Sequence, residues 1–138
     1  MGEIVSRTFD RPVEQVTLLA MSEPVQLDAD KLEELYEQLG DSAAEDVVCR
    51  AMEELAVRLA QAERLYRAGK VPDMRKCVRS LGAIATQVGM SALTRVARDV
   101  VACIDSCDAN ALAAVHQRLL RTGESSLTEI WELQDMSI

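Results

Sequence analysis

The apolar residues of this chain form helical stripes, most clearly between Ala44 and Tyr66. They step by three or four positions, the spacing that places side chains on one face of an α-helix. The expected inward positions are Ala44, Val48, Met52, Leu55, Leu59, Ala62 and Tyr66. This pattern predicts a long helix that ends at Gly69.

Helix start and stop signals mark the ends of four more helical segments. A short first helix is predicted to begin at Asp28 or Asp30 and to end at Gly40. Ser42 and Glu45 have the spacing of a capping box, in which a hydroxyl and a carboxylate satisfy free amides at the start of the long helix.

The remaining three helices follow in the same way. Pro72 suits the first turn of the third helix and Gly89 ends it. Ser91 is a candidate cap for the fourth helix, and Asp108 or Asn110 begins the fifth. The inward positions predicted for the last two helices are Leu93, Val96, Val100, Val101, Ile104, Leu112, Val115, Leu119, Leu127, Ile130 and Trp131, with Gly123 as a weak point.

Short connectors at 69–71, 89–91 and 106–110 force neighbouring helices to run antiparallel. The predicted fold class is therefore all-α, an up-and-down four-helix bundle with an additional short N-terminal helix. The bundle domain is assigned to 27–138, and 1–26 to an N-terminal arm. Its apolar run at 16–21 is compatible with a strand, a short helix or a packed arm.

Composition supports this organisation. The chain has 138 residues, of which 49% are hydrophobic and only 3% aromatic, as expected for one helical domain with its own core. Its apolar runs are shorter than the roughly 18 residues of a membrane span, and its start lacks the pattern of a signal peptide. We expect a cytoplasmic protein without membrane contact.

Charge is distributed unevenly along the chain. The segment 64–98 carries eight basic residues and one acid, a net charge of +7 that leaves −15 for the remainder of a chain whose total is −8. The acidic remainder would be repelled by a phosphate backbone, and with 3% aromatic residues the chain has few side chains that could stack on bases, so a nucleic acid is not the expected partner. An acidic cleft of another protein is the better match for the basic segment.

The four cysteines are Cys49, Cys77, Cys103 and Cys107. Their spacing is not that of a zinc site or of a disulfide scaffold, and we expect buried thiols that act as small apolar groups. Cys103, Cys107 and His116 would supply three metal ligands at most, so neither a metal nor another cofactor is expected.

The third helix carries the sequence Arg79-Ser80-Leu81-Gly82-Ala83, followed by Gly89. The segment resembles the signature of the histidine phosphotransfer (HPt) domain, which reads His-x-Leu-Lys-Gly with a further Gly ten residues after the His. Leu81 and Gly89 match, whereas Arg79 replaces the acceptor His, Gly82 the Lys and Ala83 the Gly. The resemblance extends over the helices from 27 to about 132, and it implies a four-helix bundle with the first helix across one end.

The resemblance also implies a place in two-component phosphorelay signalling, with a response-regulator receiver domain or a histidine kinase as partner. A guanidinium stays protonated and cannot carry a phosphoryl group, so the degenerate position Arg79 is expected to be inert. The expected function is that of a pseudo-phosphotransfer module, which is not an independent enzyme. Its predicted partner-binding residues are Arg75, Lys76, Arg79, Gly82, Ala83 and Thr86.

Two alternatives remain open from the sequence. One is a helical dimerisation or scaffolding module unrelated to phosphorelay. The other is an active phosphotransferase that uses His116, the sole histidine, although a structural role at the boundary of the core is the expectation for this residue. The sequence leaves the partner's identity and the oligomeric state open.

Overall fold

A computed structural model describes residues 27–136 and the side chains of 27–133, and this part of the chain is all-α. The predicted N-terminal arm, with its run at 16–21, lies outside the described residues. Within residues 27–136, β-type backbone pairing is limited to an isolated antiparallel bridge between Leu27 and Met90. The helices are α1 Ala29–Leu39, α2 Asp41–Arg67, α3 Val71–Gln87, α4 Ser91–Asp105 and α5 Ala109–Met136.

Helices α2 to α5 form the predicted bundle. Each packs against the next, and α5 also contacts α2, which closes the ring of four. The three-residue connectors between α2, α3, α4 and α5 make successive helices antiparallel. Helix α1 packs on α2 at the end of the bundle where α3 meets α4, and the Asp28 amide donates to the Gly89 carbonyl at 2.7 Å.

The core follows the predicted stripes closely. Its largest fully buried apolar side chains are Leu55, Met74, Leu81, Met90, Leu93, Leu119 and Ile130. Trp131 is an exception, because 59% of its surface is exposed. One residue advances a helix by about 100°, so burial of Ile130 turns Trp131 outward, and its predicted inward position was wrong.

Capping signals were correct at two helix starts. The Asp28 carboxylate accepts from the Lys31 amide at 3.2 Å and caps α1, and the Asp108 carboxylate accepts from the Ala111 amide at 3.0 Å and caps α5. Gly40 ends α1 with a φ of 84°. Each cap bonds to an amide in the first turn of its own helix, and the local signal was therefore sufficient.

The capping box of Ser42 and Glu45 and the Ser91 cap do not form. Gly40 is the N-cap of α2, so Ser42 already lies inside the first turn. Met90 precedes α4, and its amide donates to the Ala85 carbonyl while Met90 bridges to Leu27. Because these pairings fix Met90 in the cap position, α4 begins at Ser91 itself and the Ser91 hydroxyl cannot cap the helix.

Gly123 lies inside α5, which continues through it without a break. A Cβ atom at this position would lie 2.5 Å from Cδ1 of Leu59 on α2. The glycine therefore lets α5 approach α2 closely. From the sequence, Gly123 was expected only to weaken the helix, and this packing role was not predicted.

Candidate functional site

Arg79 is exposed near the middle of α3. Leu81, two residues further on, is fully buried, and a step of about 200° around the helix separates the two side chains. The phase of α3 thus presents the motif position to solvent, as its sequence pattern predicted.

A groove of about 300 Å³ runs beside Arg79 between α3 and α4, and we call it the α3–α4 groove. Its floor is narrow because α3 and α4 approach closely: a Cβ on Gly82 would lie 3.3 Å from Cβ of Ala97. The residues that line it include Arg79, Gly82, Ala83, Thr86, Thr94 and Arg98.

A second cavity of about 420 Å³ continues the α3–α4 groove toward α1. The two cavities share Thr86, Thr94 and Arg98, and the second also reaches Arg95 and Lys31. The hydroxyls of Thr86 and Thr94 lie 3.2 Å apart where the cavities join. One continuous depression therefore follows α3 and α4 from the motif position to the start of α1.

The electrostatic character of this depression is basic. Within residues 27–133, Arg79, Arg95 and Arg98 make no ion pair or hydrogen bond. Among the lining residues that the structure describes, Asp28 is the single carboxylate, and it belongs to the second cavity. An anionic partner would thus meet three guanidinium groups that form no ion pair with residues 27–133, although the charge of Arg79 also acts on the Asp105 carboxylate.

The six predicted partner-binding residues divide into two groups. Arg79, Gly82, Ala83 and Thr86 line the α3–α4 groove, whereas Arg75 and Lys76 do not. Lys76 is exposed.

Arg75 is engaged in an ion pair with another residue of the bundle, Asp105. It donates two hydrogen bonds to Asp105, at 2.7 and 3.0 Å. These bonds, together with the charges of Arg75 and then Arg79, lower the pKa of the Asp105 carboxyl, and the same pair raises the pKa of Arg75. Arg75 therefore braces α3 against α4 and presents less of its charge to a partner than predicted.

Helix α4 contributes one wall of the groove, which was not predicted from the sequence. Thr94, Ala97 and Arg98 face the motif residues across the groove. Their place depends on the register of α4 against α3, which the motif on α3 does not reveal. The signal available was the basic segment 64–98, which includes Arg95 and Arg98.

His116 is in the core rather than at its boundary. Its side chain is fully buried, its Nε2 lies 2.6 Å from Oε1 of Glu63, and its ring stacks on Tyr66 with centroids 4.3 Å apart. Leu112 and Leu119 lie four residues before and three after it, which places His116 in the buried stripe itself. A phosphoryl donor cannot reach this imidazole in the folded bundle, so the geometry does not favour it as an acceptor.

Only one cysteine matches the expected buried thiol fully. Cys77 is buried, which raises the pKa of its thiol, and its Sγ donates to the Arg58 carbonyl at 3.3 Å. Cys103 is half-buried, but Cys49 and Cys107 are exposed, contrary to expectation, because each lies off the inward stripe of its helix or beyond its end.

The described residues form neither a metal site nor a membrane-spanning helix. Across the described part of the chain, no three His, Cys, Asp or Glu side chains are grouped so that they could hold a metal ion. None of the helices between 27 and 136 has the length and apolar character needed to cross a membrane.

Comparison with protein-family models, curated proteins and solved structures finds no match to this chain.

Proposed function

We propose that this protein is an HPt-like pseudo-phosphotransfer module, which binds a response-regulator receiver domain or a histidine kinase without carrying phosphate. The observation that carries the proposal is the exposure of Arg79 in mid-helix, beside the small residues Gly82 and Ala83 on a bundle of four helices. That is the place where an HPt domain would present its reactive imidazole.

Chemistry explains why docking and transfer separate at this position. Transfer requires a nucleophilic nitrogen, and the permanently protonated guanidinium of Arg79 does not supply one. The same group is a permanent positive charge on a surface where the neighbouring side chains are small, so a partner can approach it closely. It therefore suits contact with an acidic pocket, such as the carboxylate cluster with which receiver domains bind their metal ion.

A dimerisation or scaffolding module is the second candidate function. It is favoured by apolar side chains that remain on the surface: Val57 is 61% exposed and Trp131 59% exposed. These residues lie on α2 and α5, away from the α3–α4 groove. The two functions thus use different faces, and substitutions can separate them.

The experiment is a pull-down with the immobilised full chain against purified receiver domains and histidine kinases of the source organism. We expect at least one receiver or kinase to be retained, and Arg79→Glu to reduce its retention while Val57→Ser leaves it unchanged. Retention that depends on Val57 and not on Arg79 would favour the scaffolding function.

A phosphotransfer assay tests the missing chemistry separately. Incubated with a phosphorylated receiver or an autophosphorylated kinase, the protein should acquire no acid-labile label. Label that appears in the wild type and is lost in His116→Ala would show that the reaction has moved to α5 and that the pseudo-phosphotransfer proposal is wrong.

A further inference from the structure

Arg79 of α3 and Arg98 of α4 line the same groove from opposite walls. Within the described residues neither has an ion-pair partner, and no carboxylate lines that cavity. Two positive charges therefore converge on a space of about 300 Å³. The nearest described counter-charge is Asp105, which lies outside the lining and is hydrogen-bonded to Arg75, although the charge of Arg79 also acts on it. Like charges held at one site repel one another unless an anion lies between them.

The threonine hydroxyls at the end of this space do not provide further donors. Thr86 donates to the Gly82 carbonyl at 2.9 Å, and Thr94 lies 3.1 Å from the Met90 carbonyl, so the helices themselves take up the hydroxyl protons. The donors that remain for a ligand are the N–H groups of the two guanidinium ions, with five on each. A ligand suited to them has several acceptor oxygens and a charge near −2.

A phosphoryl group has these properties. It carries about −1.5 to −2 charges and three strong acceptor oxygens, and guanidinium ions bind such oxygens in pairs. A carboxylate has one negative charge, and a single guanidinium suffices to neutralise it. Two arginines on facing helices thus match a phosphoryl group better than they match an unmodified acidic side chain.

We propose that the α3–α4 groove binds, without covalent transfer, the phosphoryl group of a phosphorylated receiver domain through Arg79 and Arg98. The module then distinguishes the two states of its partner and retains the phosphorylated one. This inference rests on the proposed docking function and adds to it the state of the partner and a binding residue, Arg98, outside the motif.

The first test uses the full chain alone. Inorganic phosphate is titrated against chloride at constant ionic strength, and the guanidinium signals of Arg79 and Arg98 and the Gly82 amide are followed by nuclear magnetic resonance. We expect saturable shifts that disappear in Arg98→Ala and persist in Arg121→Ala, which removes an exposed arginine on α5. Absence of saturable shifts overturns the inference, as do concentration-dependent shifts without phosphate, which would assign the groove to a second copy of this chain.

The second test uses receiver domains with and without beryllofluoride, which mimics the phosphorylated aspartate, and measures affinity by calorimetry. We expect about tenfold tighter binding of the beryllofluoride form, equivalent to one charge-assisted contact. Arg98→Ala should bring the ratio of the two affinities close to one, whereas Arg121→Ala should keep it. Equal affinities in the wild type overturn phosphoryl binding and leave docking in place, and absence of binding in both forms overturns docking as well.

Discussion

Glu63 and His116 form a polar pair within the bundle, where most neighbouring side chains are apolar. Glu63 accepts from His116 at 2.6 Å and from Arg67 at 2.7 Å, and these bonds lower the pKa of its carboxyl, with the histidine as the largest cause. Burial acts in the opposite direction but does not outweigh them. The carboxylate form of Glu63 is therefore favoured by folding.

This pair predicts an acid-dependent contribution to stability. Because the folded pKa of Glu63 lies below its ordinary value of 4.5, the contribution is complete above that pH and is lost as the pH falls through the folded pKa. We expect Glu63→Gln to be less stable than the wild type at pH 7 and the difference to shrink below about pH 4.5. Urea denaturation between pH 7 and 3 measures it.

The matched control is Glu124→Gln, which changes an exposed glutamate on α5. Its stability should follow that of the wild type at every pH. A Glu63→Gln curve that runs parallel to the wild-type curve would contradict the assignment.

Gly123 gives a second prediction at the scale of one residue. An added Cβ would meet Cδ1 of Leu59 at 2.5 Å and Cγ at 3.2 Å, so Gly123→Ala should overpack the contact of α5 with α2. Overpacking costs about 1–3 kcal/mol, against a gain of about 1 kcal/mol in helix propensity. We expect a net loss of about 1 kcal/mol in the free energy of unfolding, measured by urea denaturation.

A double-mutant cycle isolates the cause. In a Leu59→Ala background the space is vacated, and Gly123→Ala should then stabilise the protein by up to about 1 kcal/mol through helix propensity alone. Destabilisation of equal size in both backgrounds would show that Leu59 is not the contact that requires glycine.

At the scale of helices, α1 is attached to the bundle through the turn between α3 and α4. Gly89 has a φ of 78°, and a Cβ there would lie 2.9 Å from the Asp28 carbonyl. Its own carbonyl accepts the Asp28 amide at 2.7 Å. The glycine that matches the last position of the family signature therefore has a structural role, because it both ends α3 and seats α1.

We expect Gly89→Ala to cost about 1–2 kcal/mol from backbone strain and to weaken the seating of α1. Hydrogen exchange should then accelerate at the α1 amides more than at those of α5. Gly69→Ala is the matched control, since it has a φ of 72° but open space around its Cβ. It should show a similar strain without faster exchange in α1. Equal exchange in α1 for both variants would contradict the seating role of Gly89.

The helices themselves were largely predictable because periodicity and local caps act within a few residues. Asp28 and Asp108 cap as expected, since a carboxylate needs only the next turn as partner. The start of α2 was missed by two residues, because Gly40 rather than Ser42 is its N-cap, and the start of α4 by one, because Met90 is placed by its bridge to Leu27. Local sequence does not encode such contacts.

At the scale of the whole molecule, the basic surface arises from two helices that are brought together by folding. The sequence gives the net charge of +7 between residues 64 and 98 and the outward phase of Arg79. It does not give the α3–α4 register that places Arg98 across from Arg79, nor the pairing that withdraws Arg75 toward Asp105. The exposure of Arg79 on α3 could thus be predicted from sequence, whereas the α3–α4 groove beside it could not.

The surface of the whole molecule also predicts how partner binding responds to substitution. Arg79→Glu would place a like charge against an acidic pocket, and Ala83→Trp would fill the approach to the α3–α4 groove. Each should weaken affinity for a receiver found by pull-down by about 1–3 kcal/mol if the groove is at the centre of the interface. The loss for Arg79→Glu should diminish at high salt, because the screening length falls to about 3 Å at 1 M. Both side chains are exposed, so thermal melts should change little.

The matched control is Arg121→Glu, which makes the same change of charge on α5 and should retain wild-type affinity. If calorimetry finds all three variants equal to the wild type, the interface lies on another face of the bundle.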